Sequence, residues 1–237
     1  MAPLMLSVDL QIADSAEVLH DLPVWLALDA WVALVTLVVS RKAFEALRAR
    51  GWDEARARYV GRKAVHILGG GAVAAVVLAY FREPLLPLLS SLAIAGYVYA
   101  RHGSKPMYWF QDPSNKYDVT FPLTWGAVMF AGWVLTGSFA VGAAPALYMA
   151  LGDGVTGLVR AVRRGRREKS WDGTIAMLAV SLAIGAGLGV AGLASAVAAS
   201  LVERWGAVDD NVTVPLVSFA VLAASLALAP WSLRPLA

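Results

Sequence analysis

The chain has 237 residues, of which 59% are hydrophobic and 16% charged, and its mean hydropathy is +0.62. Soluble domains average about 45–50% apolar and about 25% charged residues, so this composition excludes soluble enzymes, DNA-binding modules and secreted scaffolds. The net charge of +3 decides little, and the absence of cysteine excludes disulfides, thiolate metal sites and cysteine nucleophiles. We therefore predict an all-α, polytopic transmembrane helical bundle that forms a single integral-membrane domain over residues 1–237.

The apolar segments predict the number of spans. A helix needs about 20 mostly apolar residues to cross the hydrocarbon core of a bilayer. Six segments meet this requirement, namely 22–40, 64–81, 85–100, 119–136, 139–159 and 212–231. Residues 174–203 are also apolar, but as one helix they would be about 45 Å long, and four glycines between 185 and 192 interrupt them. We expect two short spans here, which gives about eight spans in total, with seven as the alternative.

Lysine and arginine concentrate in two stretches and predict the orientation. Residues 41–63 hold eight basic residues and residues 160–172 hold six, whereas residues 1–22 hold none. Because cytoplasmic loops are enriched in these residues, we expect both basic loops inside and both termini outside. The basic cytoplasmic loop 41–63 is either an amphipathic helix on the inner surface or a plain topogenic loop. The polar and aromatic residues 101–118 form either a substrate-entry lid or an interfacial belt.

The first polar cluster lies at the start of the second predicted span. Arg62 and His66 are four residues apart and Lys63 lies beside them, so a helix places all three on one face. Such a face suits a phosphate clamp with a general base. The alternative is two topogenic charges and a spacer histidine. We favour a function because a histidine inside a span is costly without a partner.

An aspartate flanked by glycines lies in the fifth predicted span. Gly152 and Gly154 allow a close backbone approach or a local break, and the Asp153 carboxylate must pair with something in an apolar setting. Mg²⁺ together with phosphate oxygens would suit this carboxylate. The alternative is an ion pair with an arginine of a neighbouring helix.

Two more clusters follow along the chain. Residues 169–174 end at a predicted helix start, where free N–H groups attract anions, so Lys169 and Thr174 suit phosphates and Asp172 suits a metal. Asp209 and Asp210 are adjacent carboxylates that repel each other unless a cation neutralises them. The alternative for this pair is a solvated turn with a helix N-cap.

Taken in order, these clusters resemble the CTP-dependent lipid kinases. This family includes dolichol, phytol and farnesol kinases and yeast-type diacylglycerol kinases, and it is related to phosphatidate cytidylyltransferases. The resemblance covers about residues 60–220 and rests on four strings, Arg62-Lys63-Ala64-Val65-His66, Gly152-Asp153-Gly154, Lys169-Ser170-Trp171-Asp172-Gly173-Thr174, and Glu203 with Asp210-Asn211-Val212-Thr213-Val214-Pro215. Two features depart from the family. Asp172 stands where a glutamate is usual, and residues 155–160 replace a glycine-rich helix.

The resemblance implies a kinase that moves the γ-phosphoryl group of CTP to the hydroxyl of a membrane isoprenoid or related lipid alcohol. That alcohol would be of the dolichol, polyprenol, phytol or geranylgeraniol type, and the reaction would take place at the cytoplasmic face. Mg²⁺ is assigned to Asp153, helped by Asp172 or Asp210. His66 is assigned as the base or hydroxyl-orienting group, and Lys169 as a catalytic cation. The nucleotide and its phosphates are assigned to Arg62, Lys63, Gly152, Gly154, Lys169, Gly173, Thr174 and Asn211.

The expected partners are the lipid bilayer, CTP and the alcohol, with no nucleic acid. Two alternatives stay open. One is a CTP-dependent cytidylyltransferase that makes a CDP-lipid. The other is an ion-coupled transporter that uses Asp29, His66 and Asp153, since ionisable residues inside spans often form ion relays.

Overall fold

The computed structural model describes residue 12 and residues 14–164, 169–206 and 209–234. It is 85% helical, and the described residues contain no β-strand, only an isolated bridge between Gly189 and Leu233. The helices are α1 (Ser15–Leu34), α2 (Ser40–Ala49), α3 (Glu54–Ala64), α4 (Ala72–Tyr80), α5 (Leu85–Gly103), α6 (Tyr117–Thr136), α7 (Ala140–Leu147), α8 (Gly154–Arg164), α9 (Trp171–Gly185), α10 (Gly189–Trp205) and α11 (Asp210–Leu228).

Three π-helical turns join some of these helices into longer ones. Val35–Val39 joins α1 to α2, Val65–Gly71 joins α3 to α4, and Tyr148–Asp153 joins α7 to α8. A π turn inserts an extra residue into the helical repeat and is frequent at functional sites. With the joined helices counted once, the described chain has eight helical segments.

Five helical stretches are long and apolar enough to cross a membrane. They are Ser15–Ala49, Glu54–Tyr80, Tyr117–Thr136, Trp171–Trp205 and Asp210–Leu228. The prediction of an all-helical membrane protein is therefore confirmed. The number of spans and the side on which the termini lie stay predictions, because α5 and the α7–α8 segment are not among the five.

The stretch Trp171–Trp205 is folded back on itself. α9 ends at Gly185, and α10 begins at Gly189, whose φ of +77° is open to glycine but strained for other residues. The Lys169 ammonium, just before α9, donates to the carbonyl oxygens of Glu203 and Gly206 at the end of α10. The two ends of the stretch therefore meet, and the break predicted near the glycines is present.

Hydrogen bonds link the first three helical segments, α1–α2, α3–α4 and α5, at the end of the bundle where α1 begins. The buried Asp21 carboxylate accepts the backbone N–H groups of Arg82 (2.9 Å) and Glu83 (3.0 Å) in the α4–α5 connection. Glu83 in turn accepts the N–H groups of Leu85 and Leu86 at the start of α5. These bonds satisfy backbone groups that a helix start leaves unpaired.

The basic segment 41–63, which the sequence predicted as a cytoplasmic loop, is helical over most of its length. It forms the α2 helix, a short turn and the α3 helix, and the Asp53 side chain caps α3 by accepting the N–H of Arg56 at 2.9 Å. Ion pairs four residues apart support both helices, Arg41 with Glu45 and Glu54 with Arg58.

The middle of residues 104–116, which connect α5 to α6, is packed into the bundle, whereas residues 104–106, 113 and 114 are exposed, and the substrate-entry lid stays a prediction. Met107 is fully buried and Phe110 is 3% exposed. The Trp109 indole N–H donates to the Thr36 carbonyl oxygen at 2.9 Å. Of the aromatic residues in this connection, Tyr108 alone is exposed enough for the predicted interfacial belt, so the belt does not describe the whole segment.

Candidate functional site

Two of the π turns face each other and carry the central residues of the site. His66 lies in the turn Val65–Gly71, and Asp153 ends the turn Tyr148–Asp153. A Cβ atom added to Gly70 would lie 3.5 Å from Ala150 Cβ, so the two turns are in close contact. The glycines in the sequence thus allow two distorted helices to approach side by side.

Lys63, His66 and Asp153 form a buried cluster between these turns. The Lys63 ammonium donates to Asp153 Oδ2 at 2.5 Å, and His66 Nδ1 lies 3.8 Å from the same oxygen. Neither ring nitrogen of His66 makes a hydrogen bond. The Lys63 side chain passes over Gly157, where a Cβ atom would lie 2.4 Å from Lys63 Cε. The structure therefore brings together three of the residues that the sequence analysis selected.

A second buried ion pair adjoins this cluster. Arg160 Nη2 lies 2.9 Å from Glu203 Oε1, and both side chains are almost fully buried. The Asp153 carboxylate is within electrostatic reach of both Arg160 and Glu203. Burying such charges costs several kcal/mol each before pairing restores part of it. Two adjacent buried pairs in a membrane protein therefore suggest a role beyond stability.

Sequence reasoning missed Arg160, which it counted with the topogenic arginines, and it placed Glu203 in the last motif string without assigning it to the site. One signal was available. Arg160 follows Asp153 by seven residues, about two helical turns, so both lie on the same face of one helix.

Lys169 links the hairpin α9–α10 to α11. Besides the two carbonyl oxygens at the end of α10, its ammonium donates to Asp210 Oδ1 at 2.9 Å. An ammonium has three donors, so these bonds use all of them. In this structure Lys169 is therefore a helix C-cap and an ion-pair partner, and phosphate binding would require it to exchange these bonds.

Arg62 and Asn211 lie beside the start of α6. The Arg62 guanidinium is 5.6 Å from the Tyr59 ring centre and 5.7 Å from the Tyr117 ring centre. The Asn211 amide donates to the Tyr117 carbonyl oxygen at 2.8 Å. Arg62 acts electrostatically on His66 and so belongs to the central cluster, whereas Asn211 holds α11 against α6.

The predicted site residues at the start of α9 have mainly local contacts. Ser170 caps the helix by accepting the Gly173 N–H, and the Thr174 hydroxyl donates to the Ser170 carbonyl oxygen at 3.1 Å. Gly173 packs against Arg160, whose Nε would lie 2.6 Å from a Cβ atom there. Asp172 lies in the first turn of α9 and is half-buried. This helix start thus touches the ionic cluster through Gly173.

The residues fit a metal that arrives with a nucleotide better than a metal held by protein alone. Within the described ranges, no three histidine, aspartate or glutamate side chains are grouped as ligands. Mg²⁺ commonly takes one or two carboxylates from the protein and completes its shell with phosphate oxygens and water. Asp153 can supply one such carboxylate, and Asp210 is in electrostatic reach of it.

An apolar groove runs along the other side of the same helices. Its cavity volume is about 90 Å³, and it is lined by α1, α4, α5, α6 and the Val65–Gly71 turn. The lining residues Val65 and Val77 are twelve positions apart along α3–α4, which corresponds to about 18 Å. Phe121 lines the groove and also stacks on His66, with 3.9 Å between ring centroids.

The chain was compared with known proteins in three ways. No family model, curated protein or solved structure matches it.

Proposed function

We propose that this chain is an integral membrane kinase that transfers the γ-phosphoryl group of CTP to the hydroxyl of an isoprenoid or related lipid alcohol. One observation carries the proposal. A single aromatic ring, Phe121, stands between an elongated apolar groove and a buried cluster of cations and carboxylates. A lipid chain and a phosphate-bearing substrate would therefore meet at His66.

The charges of the cluster suit an incoming phosphate. Four cationic side chains, Arg62, Lys63, Arg160 and Lys169, adjoin three carboxylates, Asp153, Glu203 and Asp210. Phosphoryl transfer needs little covalent help from the protein and depends mainly on positioning and charge neutralisation. A cluster with one more cation than carboxylate favours an anion, and two of its ion pairs, Lys63–Asp153 and Arg160–Glu203, are buried away from water.

The roles follow from these positions. Asp153 would hold Mg²⁺, helped by Asp210 or Asp172, and the bound ion would neutralise negative charge on the transferred phosphoryl group. Lys63 and Arg62 would contact the phosphates, with Lys169 at the edge of the cluster. His66, which makes no hydrogen bond of its own, would orient the hydroxyl or accept its proton. The lipid oxygen would bond to the γ-phosphorus, the bond to the β-phosphate oxygen would break, and CDP would leave.

The choice of CTP and of an alcohol rests on the resemblance of the four motif strings to CTP-dependent lipid kinases. The proposed topology places all eight segments across the bilayer, with both termini outside and the ionic cluster at the cytoplasmic face. The lysine and arginine content of residues 41–63 supports this orientation.

The test uses purified protein in detergent with Mg²⁺ and a panel of lipid alcohols and lipid phosphates. With [γ-³²P]CTP, label should move onto an alcohol, and ATP should serve poorly. Asp153→Asn should abolish this transfer, whereas Glu45→Gln, at an exposed surface pair, should leave it unchanged. Transfer of label from [α-³²P]CTP to a lipid phosphate would instead establish the cytidylyltransferase. If neither [γ-³²P]CTP nor [α-³²P]CTP gives a labelled lipid, the kinase is refuted and the ion-coupled transporter is favoured.

A further inference from the structure

One of the residues that line the groove at the end nearer the ionic cluster is an aspartate. Asp118, in the first turn of α6, lines the groove together with Val65, Val98 and Phe110. His66 and Asp153 are not among the lining residues, because Phe121 stands between them and the groove. A lipid lying in the groove therefore meets Asp118 before it meets His66.

Asp118 is held in place by two buried side chains. His102 Nε2 lies 2.7 Å from Asp118 Oδ1, and the Gln111 amide donates to Asp118 Oδ2 at 2.7 Å. An ionised carboxylate can only accept, so His102 Nε2 carries the proton of this bond. The start of a helix also favours a negative charge. These contacts fix the position of the carboxylate.

The carboxylate retains capacity for another donor. Two oxygens offer about four acceptor positions, and His102 and Gln111 occupy two of them. A hydroxyl at the head of an apolar chain is a donor of suitable size. An ether has no donor, so an ether in the groove would displace water from the carboxylate without replacing the lost hydrogen bond.

We propose that Asp118 binds the hydroxyl of a lipid alcohol whose chain lies in the apolar groove. His102 and Gln111 are positioning residues that act through Asp118. The inference rests on the proposed function for the identity of the substrate, and it adds the place where the alcohol is recognised. His66 lies on the nucleotide side of Phe121, so a hydroxyl recognised at Asp118 would have to pass the Phe121 ring to react there.

The same groove offers a matched control. Asp29 also lines it, but nearer the other end, where the Ser90 hydroxyl donates to it at 3.1 Å and the Trp25 indole donates to Ser90. Asp29 and Asp118 are thus two carboxylates in one apolar groove. If any carboxylate there sufficed to bind a hydroxyl, the two would behave alike.

The experiment measures binding without nucleotide. Wild type, Asp118→Asn and Asp29→Asn are placed in lipid nanodiscs with tritiated geranylgeraniol, which is displaced by unlabelled geranylgeraniol or its methyl ether at matched mole fractions. Wild type should prefer the alcohol by about tenfold, as expected for one hydrogen bond to a charged acceptor. Asp118→Asn should abolish this preference while binding the ether as wild type does. Asp29→Asn should keep the preference.

Three results would overturn the proposal. They are equal binding of alcohol and ether by wild type, a preserved preference in Asp118→Asn, and a preference lost in Asp29→Asn. If Asp118 had only a structural role, Asp118→Asn would weaken the binding of the alcohol and of the ether equally. That result would also count against the proposal. If Asp118→Asn does not fold, two measurements remain. His102→Gln, which alters the support of Asp118 without changing a residue that lines the groove, should reduce the preference for the alcohol. Equal binding of alcohol and ether by wild type would still overturn the proposal. Alcohol preference without phosphoryl transfer would refute the kinase and leave this site standing.

Discussion

The imidazole ring of His66 lies against the phenyl ring of Phe121, with 3.9 Å between centroids and 21° between the ring planes. The Nδ1 atom of the same His66 ring is 3.8 Å from Asp153 Oδ2. Phe121 is therefore the partition between the apolar groove and the ionic cluster. In a kinase such a partition has a second task, because water that reached the phosphoryl group would compete with the lipid hydroxyl.

A smaller side chain at Phe121 should uncouple CTP hydrolysis from lipid phosphorylation. We expect Phe121→Leu, which keeps an apolar side chain but removes the ring, to raise CTP hydrolysis severalfold relative to lipid phosphorylation. The measurement is the ratio of free phosphate to labelled lipid from [γ-³²P]CTP. Phe110→Leu also thins the groove wall but leaves the ring stacked on His66 in place, so its ratio should stay near wild type. The same ratio in both variants would contradict the role given to Phe121.

The Lys63–Asp153 pair predicts a strong dependence of stability on each partner. Their side chains are 5% and 8% exposed, so removing one charge leaves the other buried and unpaired, which costs about 3–5 kcal/mol. Lys63→Met and Asp153→Asn should each lower the unfolding temperature in detergent markedly. The double variant should recover much of this loss, because it leaves no unpaired charge, yet it should remain inactive.

The surface pair Arg41–Glu45 is the control for that comparison. Its side chains are 51% and 50% exposed, and ion pairs in water contribute little to stability because solvent screens them. Arg41→Gln should therefore leave the unfolding temperature nearly unchanged. Single variants of Lys63 and Asp153 that unfold at the wild-type temperature would show that the pair is not buried in solution.

Part of the site could be predicted because it follows from local geometry. Arg62, Lys63 and His66 share a helix face by spacing alone, and an aspartate between glycines in an apolar run indicates both a distorted helix and a partner for the charge. The structure places Lys63, His66 and Asp153 together, as such reasoning requires. The break in the hairpin was predictable for a similar reason, since a 30-residue apolar stretch rich in glycine is too long for one span.

Other parts depend on contacts between segments far apart in sequence. Arg160 and Glu203 are 43 residues apart, and nothing in either neighbourhood identifies the other as its partner. The groove is formed by four helices and a connection, and its shape depends on how their side chains pack. Residues 104–116 look like an open loop because they are polar, but Trp109 and Phe110 are buried against α2, α3 and α5 and the Val35–Val39 turn.

Gly189 is predicted to be required for the hairpin. Its φ of +77° disfavours any residue with a Cβ atom, and such an atom would lie 3.0 Å from the Ser232 carbonyl oxygen. Gly189→Ala should destabilise the protein by about 1–3 kcal/mol through backbone strain, measured as a lower unfolding temperature in detergent. Gly187→Ala, two residues earlier and with nothing within 4 Å of the new atom, should be neutral or slightly stabilising. Equal effects of the two substitutions would argue against a turn at Gly189.

The lack of native cysteine makes the proposed topology directly testable by thiol labelling. Gly187, at the turn of the hairpin, and Lys105, in the α5–α6 connection, are both exposed. In the eight-span arrangement they lie on opposite sides of the membrane, because three helical segments, α6, α7–α8 and α9, separate the α5–α6 connection from the hairpin turn. A membrane-impermeant maleimide should label Gly187→Cys in intact cells and Lys105→Cys only in inverted vesicles. If residues 174–203 formed one span, Gly187→Cys would lie within the bilayer and resist labelling from both sides. The protein would then have seven spans, and α11 would cross the membrane in the opposite direction.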